Sequence, residues 1–292
     1  RFTAEPQETG RVMLHTIQRL TLAALLAGAT ALPAAAAPEA DLWPRWQAHD
    51  PDSTAKIDHA AWGAFLDSYL VVRPDGANLV RYAGVSEADR RALDAYLDKL
   101  AGIDISQYSR PVQFAFWVNL YNALTVDVVL DHYPVDSIRD IDISPGWFSS
   151  GPWGAELIEV EGTALTLNDI EHRILRPIWQ DPRIHYAVNC ASIGCPDLRL
   201  EPYTAGQLEP QLDAAARSYI NDPRGARVSD GALTVSKIYT WYQEDFENSD
   251  AGVIRHLRQY ANEDLATALD GVSEIADSRY DWSLNEAPAG GS

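Results

Sequence analysis

The chain has 292 residues and a formal net charge of −19, from 23 basic and 42 acidic side chains. Such an acidic balance repels phosphate backbones and anionic lipid surfaces, which argues against nucleic acid as a partner. A hydrophobic share of 46%, with 9 Trp and 13 Tyr, is typical of a folded globular protein and not of a disordered one.

Residues 1–37 are predicted to be absent from the mature protein. Residues 1–12 precede Met13, the single methionine, and are interpreted as a mis-called upstream start. From Met13, a basic start, an apolar run at residues 20–32 and four alanines at residues 34–37 form the pattern of a secretory signal peptide. The run is too short for a membrane span. We therefore expect a periplasmic or secreted protein without stable membrane insertion after cleavage.

The mature part is predicted to contain one folded unit. Residues 38–56 form an irregular lead-in, residues 57–285 a single domain and residues 286–292 a disordered tail. The domain opens with three predicted helices, of which the third is apolar on nearly every side, as in a helix buried in a core. These helices are predicted at residues 57–70, 86–100 and 111–132.

Strands are predicted only in the second half, at residues 156–160, 163–165 and 184–189 and in a hairpin around Asp230-Gly231. A short helix begins at Thr166 and is predicted to stop before Pro177, because proline cannot continue a helix. Later helices are predicted at residues 204–221, 238–246 and 251–260. Helices outnumber strands, so the predicted fold is α+β: a mostly helical single domain with a small, largely antiparallel sheet.

The two cysteines of the chain, Cys190 and Cys195, lie in one loop. In an exported protein such a pair suggests a disulfide, whereas Cys190 at the junction of a strand and a loop also suits a nucleophile with a nearby base. Inert packing is a third alternative. A metal site with His185 is disfavoured by the spacing, and on a regular strand His185 would point away from Cys190. We expect no metal and no cofactor.

The helix that begins at Thr166 offers a base for Cys190. At 100° per residue, Glu171 falls near the centre of its apolar face, His172 lies at the edge of that face, and Arg176 points outward. A buried carboxylate must be paired, protonated or functional. The structural alternatives are an ion pair for Glu171 and a hydrogen-bonded ring for His172. The functional alternative is a catalytic role, with His172 as the base for Cys190.

Two asparagines stand on the predicted core helix. Asn119 and Asn122 are three residues apart, so they face roughly one side and need hydrogen-bond partners there. They are expected to hold a neighbouring loop by its backbone; a catalytic role as oxyanion donor or histidine orienter is the alternative. Tyr121 lies in the same region, with packing as its default role and ligand contact as the alternative.

A loop rich in glycine and proline at residues 144–154 carries three aromatic residues. Trp147, Phe148 and Trp153 are candidates for the wall of a binding groove that stacks sugars or grips peptides. The alternative is a loop folded back over the core.

Several segments of this chain resemble motifs of the family known as "domain of unknown function 547". The match extends over about residues 57–285, and the similar segments are residues 116–124, 167–176, 190–196, 237–246 and 280–285. The resemblance implies a domain but no mechanism, and it implies export, which is common among bacterial members. It also implies that a Cys190–Cys195 disulfide is not obligatory, because plant members can have serine at the second position.

Two functional hypotheses follow. The first is a cysteine-dependent hydrolase or acyl transferase of the cell envelope, with Cys190, His172, Glu171 and the two asparagines as catalytic residues. The second is a non-catalytic periplasmic module that binds a peptide, a glycan or a protein, with a structural Cys190–Cys195 disulfide. In either case the partner is a small molecule, a peptide or an envelope component.

Overall fold

Helices dominate the described part of the chain, which comprises residues 38–74, 76–146 and 150–288 of the computed structural model. In chain order they are α1 (Ala60–Tyr69), α2 (Glu87–Ala101), α3 (Arg110–His132), α4 (Arg176–Trp179), α5 (Ile184–Ala187), α6 (Leu208–Ile220), α7 (Ile238–Trp241), α8 (Asp250–Tyr260) and α9 (Glu263–Ala268). A π-helix at Asp169–Leu175 runs directly into α4. The predicted signal peptide lies outside the described residues.

The strands of the described residues are short and form three small sheets. Strands β1 (Leu70–Val71) and β2 (Leu79–Val80) pair antiparallel, as do β3 (Ile158–Val160) and β4 (Thr163–Leu165). The third sheet joins β5 (Ala226–Ser229) and β6 (Ala232–Ser236) antiparallel and adds β7 (Asp277–Arg279) parallel to β6. The α+β class is therefore confirmed, with strands distributed over three sheets and mostly antiparallel.

Helix α3 forms the centre of the larger hydrophobic core. Its side chains are buried almost without interruption from Val112 to Val126, as its apolar sequence predicts. Trp117 packs edge-on against Trp46 of the lead-in and against the neighbouring Phe116. A second, smaller core cluster lies in the C-terminal half. Among the described residues, no helix is long and apolar enough to cross a membrane.

The predicted strand at residues 184–189 is wrong, because the structure has helix α5 there. The Asp181 carboxylate accepts a hydrogen bond from the Arg183 amide, and Pro182 fixes the first turn of the segment. This is a helix-start arrangement, which the apolar run that follows had obscured. His185 consequently lies on a helix, and the strand alternation that separated it from Cys190 does not apply.

The prediction that the helix from Thr166 ends before Pro177 is also wrong. The π-helix directs the Arg176 amide to the Glu171 carbonyl, five residues back, so the His172 carbonyl is left without a helical partner. Pro177 has no amide hydrogen for the Arg173 carbonyl. The lead-in supplies both missing donors, Asp41 N–H to the His172 carbonyl and Trp43 N–H to the Arg173 carbonyl, each at 3.0 Å.

Candidate functional site

The loop after α5 is closed by a disulfide. Cys190 and Cys195 are bonded, with their Cα atoms 6.2 Å apart, so neither sulfur is a free thiol. The Tyr280 hydroxyl lies 3.0 Å from Cys190 Sγ and 3.1 Å from Cys195 Sγ. The Ser192 hydroxyl lies 3.3 Å from Cys190 Sγ. The polar side chains that the described residues bring to these sulfurs are therefore hydroxyl groups.

The end of the chain fastens this loop from one side. The Gly194 amide donates to the Asp281 carbonyl at 2.8 Å, and the Asn285 amide donates to the Ala191 carbonyl at 3.0 Å. A Cβ atom on Gly194 would come within 2.8 Å of the Asp281 backbone. Glycine is therefore required at position 194 for the close approach of the loop to the Asp281 backbone. This approach places the neighbouring Tyr280 beside the sulfurs.

Helix α3 fastens the chain that leads into the loop. The Asn122 amide donates to the Ala187 carbonyl at 2.9 Å and its oxygen accepts the Asn189 amide at 2.8 Å. Asn119 holds the backbone of Tyr203 in the same way, at 2.8 and 3.0 Å. Both buried amides therefore hold backbone segments, and only Asn122 belongs to the surroundings of the Cys190 loop. The catalytic alternative for these two residues stays a prediction.

The π-helix and the first residue of α4 present three charged or titratable side chains to the interior. Glu171 and His172 are buried, as their positions near the apolar face predict. Arg176 was expected to point outward, and this prediction is wrong: its side chain is 1% exposed. The π turn is wider than an α turn, so the angular step of 100° per residue does not hold through it.

Arg176 connects the lead-in to two carboxylates on the segment after α7. Its guanidinium donates to Asp245 Oδ2 at 2.6 Å and to Glu244 Oε1 at 2.5 Å. It also donates to the Pro38 carbonyl at 2.8 Å and to His172 Nδ1 at 3.1 Å. Because arginine is only a donor, His172 Nδ1 must be an acceptor and its proton must be on Nε2.

Buried His185 and partly buried Asp245 form a histidine–carboxylate pair. His185 Nε2 lies 2.7 Å from Asp245 Oδ2, and its ring stacks on Tyr242 at 4.4 Å with an interplanar angle of 12°. Since the carboxylate is an acceptor, Nε2 carries the proton of this hydrogen bond. The other ring nitrogen, Nδ1, faces Glu171 Oε1 at 3.8 Å.

Glu171 lies between the two histidines. Its Oε2 is 4.0 Å from His172 Nε2, and its side chain keeps 8% of its surface exposed. Both histidine nitrogens are beyond ordinary hydrogen-bond distance. The Tyr121 hydroxyl interacts with the same carboxylate. Glu171 therefore has cationic or donor groups around it but no close ion pair among the described residues.

The electrostatics of this group follow from burial and charge. Burial, assisted by the nearby Arg176 guanidinium, lowers the pKa of His172 to about 4, although the Glu171 charge opposes the shift. Burial alone would raise the pKa of Asp245, but the hydrogen bonds from His185 and Arg176 outweigh it and lower that pKa to about 2. Burial and then the charge of Glu171 raise the pKa values of Tyr121 and Tyr242 well above the ordinary range.

The structure does not bring Cys190 and His172 together as a hydrogen-bonded pair. The Cys190 sulfur contacts hydroxyl groups and its disulfide partner, while the His172 ring contacts Arg176 and Glu171. As for a metal site, the described residues contain no group of three or more His, Cys, Asp or Glu side chains that could hold a metal ion.

Four partly exposed aromatic side chains pack on one another, and one of them, Tyr280, contacts the disulfide. We call this group the aromatic ridge: Trp153, Trp241, Tyr280 and Trp282. The Trp282 ring lies 4.6 Å from Tyr280 and 5.7 Å from both Trp153 and Trp241, measured between ring centroids. Of the three predicted groove aromatics, Trp153 belongs to the ridge, while Trp147 and Phe148 lie outside the described residues.

Sequence reasoning missed several residues of the site. Arg176 was placed on the wrong face, and His185 was set aside by the strand assignment. Asp245, Trp241 and Trp282 were noticed only as parts of segments that resemble a family. The partly buried position of Asp245 has no periodic signal, because Asp245 lies in a short 3₁₀ turn at Gln243–Phe246.

Comparison with known proteins gives a match to one family model over part of the chain. Residues 105–220 match the model of the family described as "Protein of unknown function, DUF547". No curated protein and no solved structure matches the chain. The matched residues include Asn119, Asn122, the π-helix and the disulfide loop. Over residues 105–220, the chain is therefore similar to the DUF547 family of proteins of unknown function.

Proposed function

We propose that the protein is a ligand-binding module of the cell envelope, whose binding surface is the aromatic ridge on a disulfide-fastened loop. The observation that carries the proposal is the contact of the ridge with the disulfide through Tyr280, whose hydroxyl reaches both sulfurs. A bridged loop and packed rings keep the ridge in one arrangement, which lowers the entropic cost of binding. The envelope location rests on the predicted signal peptide.

The composition of the ridge suits a peptide or a glycan. Rigid indole and phenol rings offer large contact areas at low conformational cost, and they are enriched where proteins bind other molecules. The Arg139 guanidinium lies 5.3 Å from the Trp282 ring centre and adds a hydrogen-bond donor at the edge. The cysteine-dependent hydrolase is less well supported, because Cys190 has no thiolate in the bridged state.

Calorimetry on the oxidised protein tests the proposal. It measures binding to a panel of soluble peptidoglycan fragments, oligosaccharides and short peptides. Trp282→Ala should weaken binding of the selected ligand about 30-fold, which corresponds to a central contact worth roughly 2 kcal/mol. Trp179→Ala is the matched control, since Trp179 is a partly buried tryptophan that packs on Phe114, away from the ridge.

Two results would overturn the proposal. One is the absence of binding across the panel; the other is equal affinity in the wild-type protein and Trp282→Ala, with circular dichroism showing both folded. Hydrolysis of an ester or amide by the reduced protein, lost in Cys190→Ser, would instead support the hydrolase.

A further inference from the structure

The disulfide loop is held closed by more than its covalent bond. The Asn189 side chain spans the loop: its oxygen accepts the Ala191 amide at 2.9 Å, and its nitrogen donates to the Pro196 carbonyl at 2.7 Å. The Arg224 guanidinium donates to the Cys195 carbonyl at 3.0 Å. These hydrogen bonds do not depend on the bond between the sulfurs. The loop should therefore keep its shape when that bond opens, and a bridge that closes so short a loop constrains the unfolded chain little.

Hydrogen-bond donors converge on the two sulfurs. The backbone amide of Cys190 donates to Cys195 Sγ at 2.9 Å. The bonded sulfurs carry no hydrogen, so the Tyr280 hydroxyl is also the donor in its contacts with them, at 3.0 and 3.1 Å. A neutral sulfur is a weak acceptor, whereas a thiolate carries a full charge and gains more from each donor. These donors therefore stabilise a reduced, ionised cysteine more than they stabilise the bridge.

The two cysteines differ in exposure. Cys195 is 3% exposed, whereas Cys190 keeps part of its surface exposed. A thiolate from outside the protein should therefore reach Cys190 first, which makes Cys195 the leaving group of the exchange. Cys195 Sγ is also the sulfur that accepts the Cys190 amide. The donors thus lie where negative charge would develop as the bridge opens.

We propose that Cys190–Cys195 is a redox-active disulfide that accepts two electrons from a dithiol. One thiolate of the dithiol attacks Cys190 Sγ, the sulfur–sulfur bond breaks, and its electron pair leaves on Cys195 Sγ. The second thiolate of the dithiol then attacks its own sulfur in the mixed disulfide, which forms the partner's disulfide and releases the Cys190 thiolate. The dithiol is oxidised, the protein is reduced, and the two protons of the dithiol pass through solvent. The inference goes beyond the proposed binding function and does not depend on it.

The rate of reduction tests this inference on the folded full-length protein. In dithiothreitol without denaturant, the wild-type bridge should open while circular dichroism stays unchanged, and alkylation followed by mass spectrometry counts the released thiols. Tyr280→Phe should open at least about fivefold more slowly, because one donor to the leaving sulfur is lost. Tyr108→Phe is the matched control and should open at the wild-type rate, since Tyr108 is a partly buried tyrosine that precedes α3, outside the disulfide loop.

Single-cysteine variants test which sulfur exchanges with the partner. With oxidised glutathione, Cys195→Ser should form a mixed disulfide on Cys190 at least about tenfold faster than Cys190→Ser forms one on Cys195. Three results would overturn the proposal: a bridge that dithiothreitol opens only after urea unfolds the chain, equal opening rates in the wild-type protein and Tyr280→Phe, or faster exchange at Cys195. The aromatic ridge is judged separately, by its own ligand panel on the oxidised protein.

Discussion

The buried guanidinium of Arg176 should be the most important polar contribution to the stability of the site. It is 1% exposed and donates to two carboxylates, one backbone carbonyl and one histidine nitrogen. In Arg176→Met the aliphatic volume remains, but Asp245, 22% exposed, keeps only His185 as a partner. Removal of one partner of a buried pair costs roughly 3–5 kcal/mol.

Urea unfolding at pH 7, followed by tryptophan fluorescence and circular dichroism, measures this cost. In a parallel thermal melt, a domain of this size loses about 2–4 °C of melting temperature per kcal/mol, so the melting temperature should fall by roughly 6–20 °C. Arg91→Met is the control: Arg91 is 71% exposed and pairs with Glu87 one turn earlier on α2. Its loss should stay within about 0.5 kcal/mol.

A double variant tests the cause of the loss. Arg176→Met combined with Asp245→Asn removes the uncompensated charge, so it should be more stable than the sum of the two single losses predicts. A loss under about 1 kcal/mol in Arg176→Met would refute the assignment of a buried ion pair. Strict additivity in the double variant would refute the electrostatic origin of the loss.

Three further predictions concern the supports of the site. Asn122→Ala should cost roughly 2–4 kcal/mol in urea unfolding, because it leaves two buried backbone groups before the Cys190 loop unpaired; a loss under about 1 kcal/mol would contradict this. The pKa of His172 falls from 6.5 to about 4 on folding, so its contribution to stability is complete above pH 6.5 and is lost toward pH 4, by up to roughly 3 kcal/mol. The urea midpoint should therefore depend less on pH in His172→Gln over this window. Replacing Cys190 and Cys195 by serine should cost about 2 kcal/mol, and iodoacetamide should modify neither cysteine before reduction; alkylation of unreduced Cys190 would speak against the bridge.

Local signals predicted much of the fold. The unbroken apolar run of α3 gave its position within one residue at the start. Ser86 caps α2 as expected, with its hydroxyl accepting the Asp89 amide, and Asp230-Gly231 forms the turn of the β5–β6 hairpin with positive φ at both residues. These features depend on residues close together in the sequence, so they can be recognised from the sequence alone.

Two of the errors, the end of the helix from Thr166 and the orientation of Arg176, occur where residues distant in sequence determine the structure. The π-helix and its continuation through Pro177 depend on the backbone amides of Asp41 and Trp43, more than 120 residues earlier. The pattern of apolar residues in 167–179 gives no indication of those hydrogen-bond donors. Arg176 is buried because carboxylates of a later segment and the Pro38 carbonyl surround it. The sequence therefore locates the site through its buried acid, Glu171. The burial of Arg176 and its contacts with carboxylates can be recognised only in the folded structure.

The short helix α7 explains why the ridge and the buried charges should act together. Its last residue, Trp241, packs on Tyr280 at 4.8 Å between ring centroids, and the next residue, Tyr242, stacks on His185. A ligand that shifts the backbone at Trp241 should also shift the Tyr242 ring that lies against His185, because one peptide bond joins Trp241 to Tyr242. Tyr280 makes the same connection from the other side, since it contacts both sulfurs and senses Glu171. Charge at Glu171 and contact at the ridge should therefore be energetically coupled, and reduction of the disulfide should alter both.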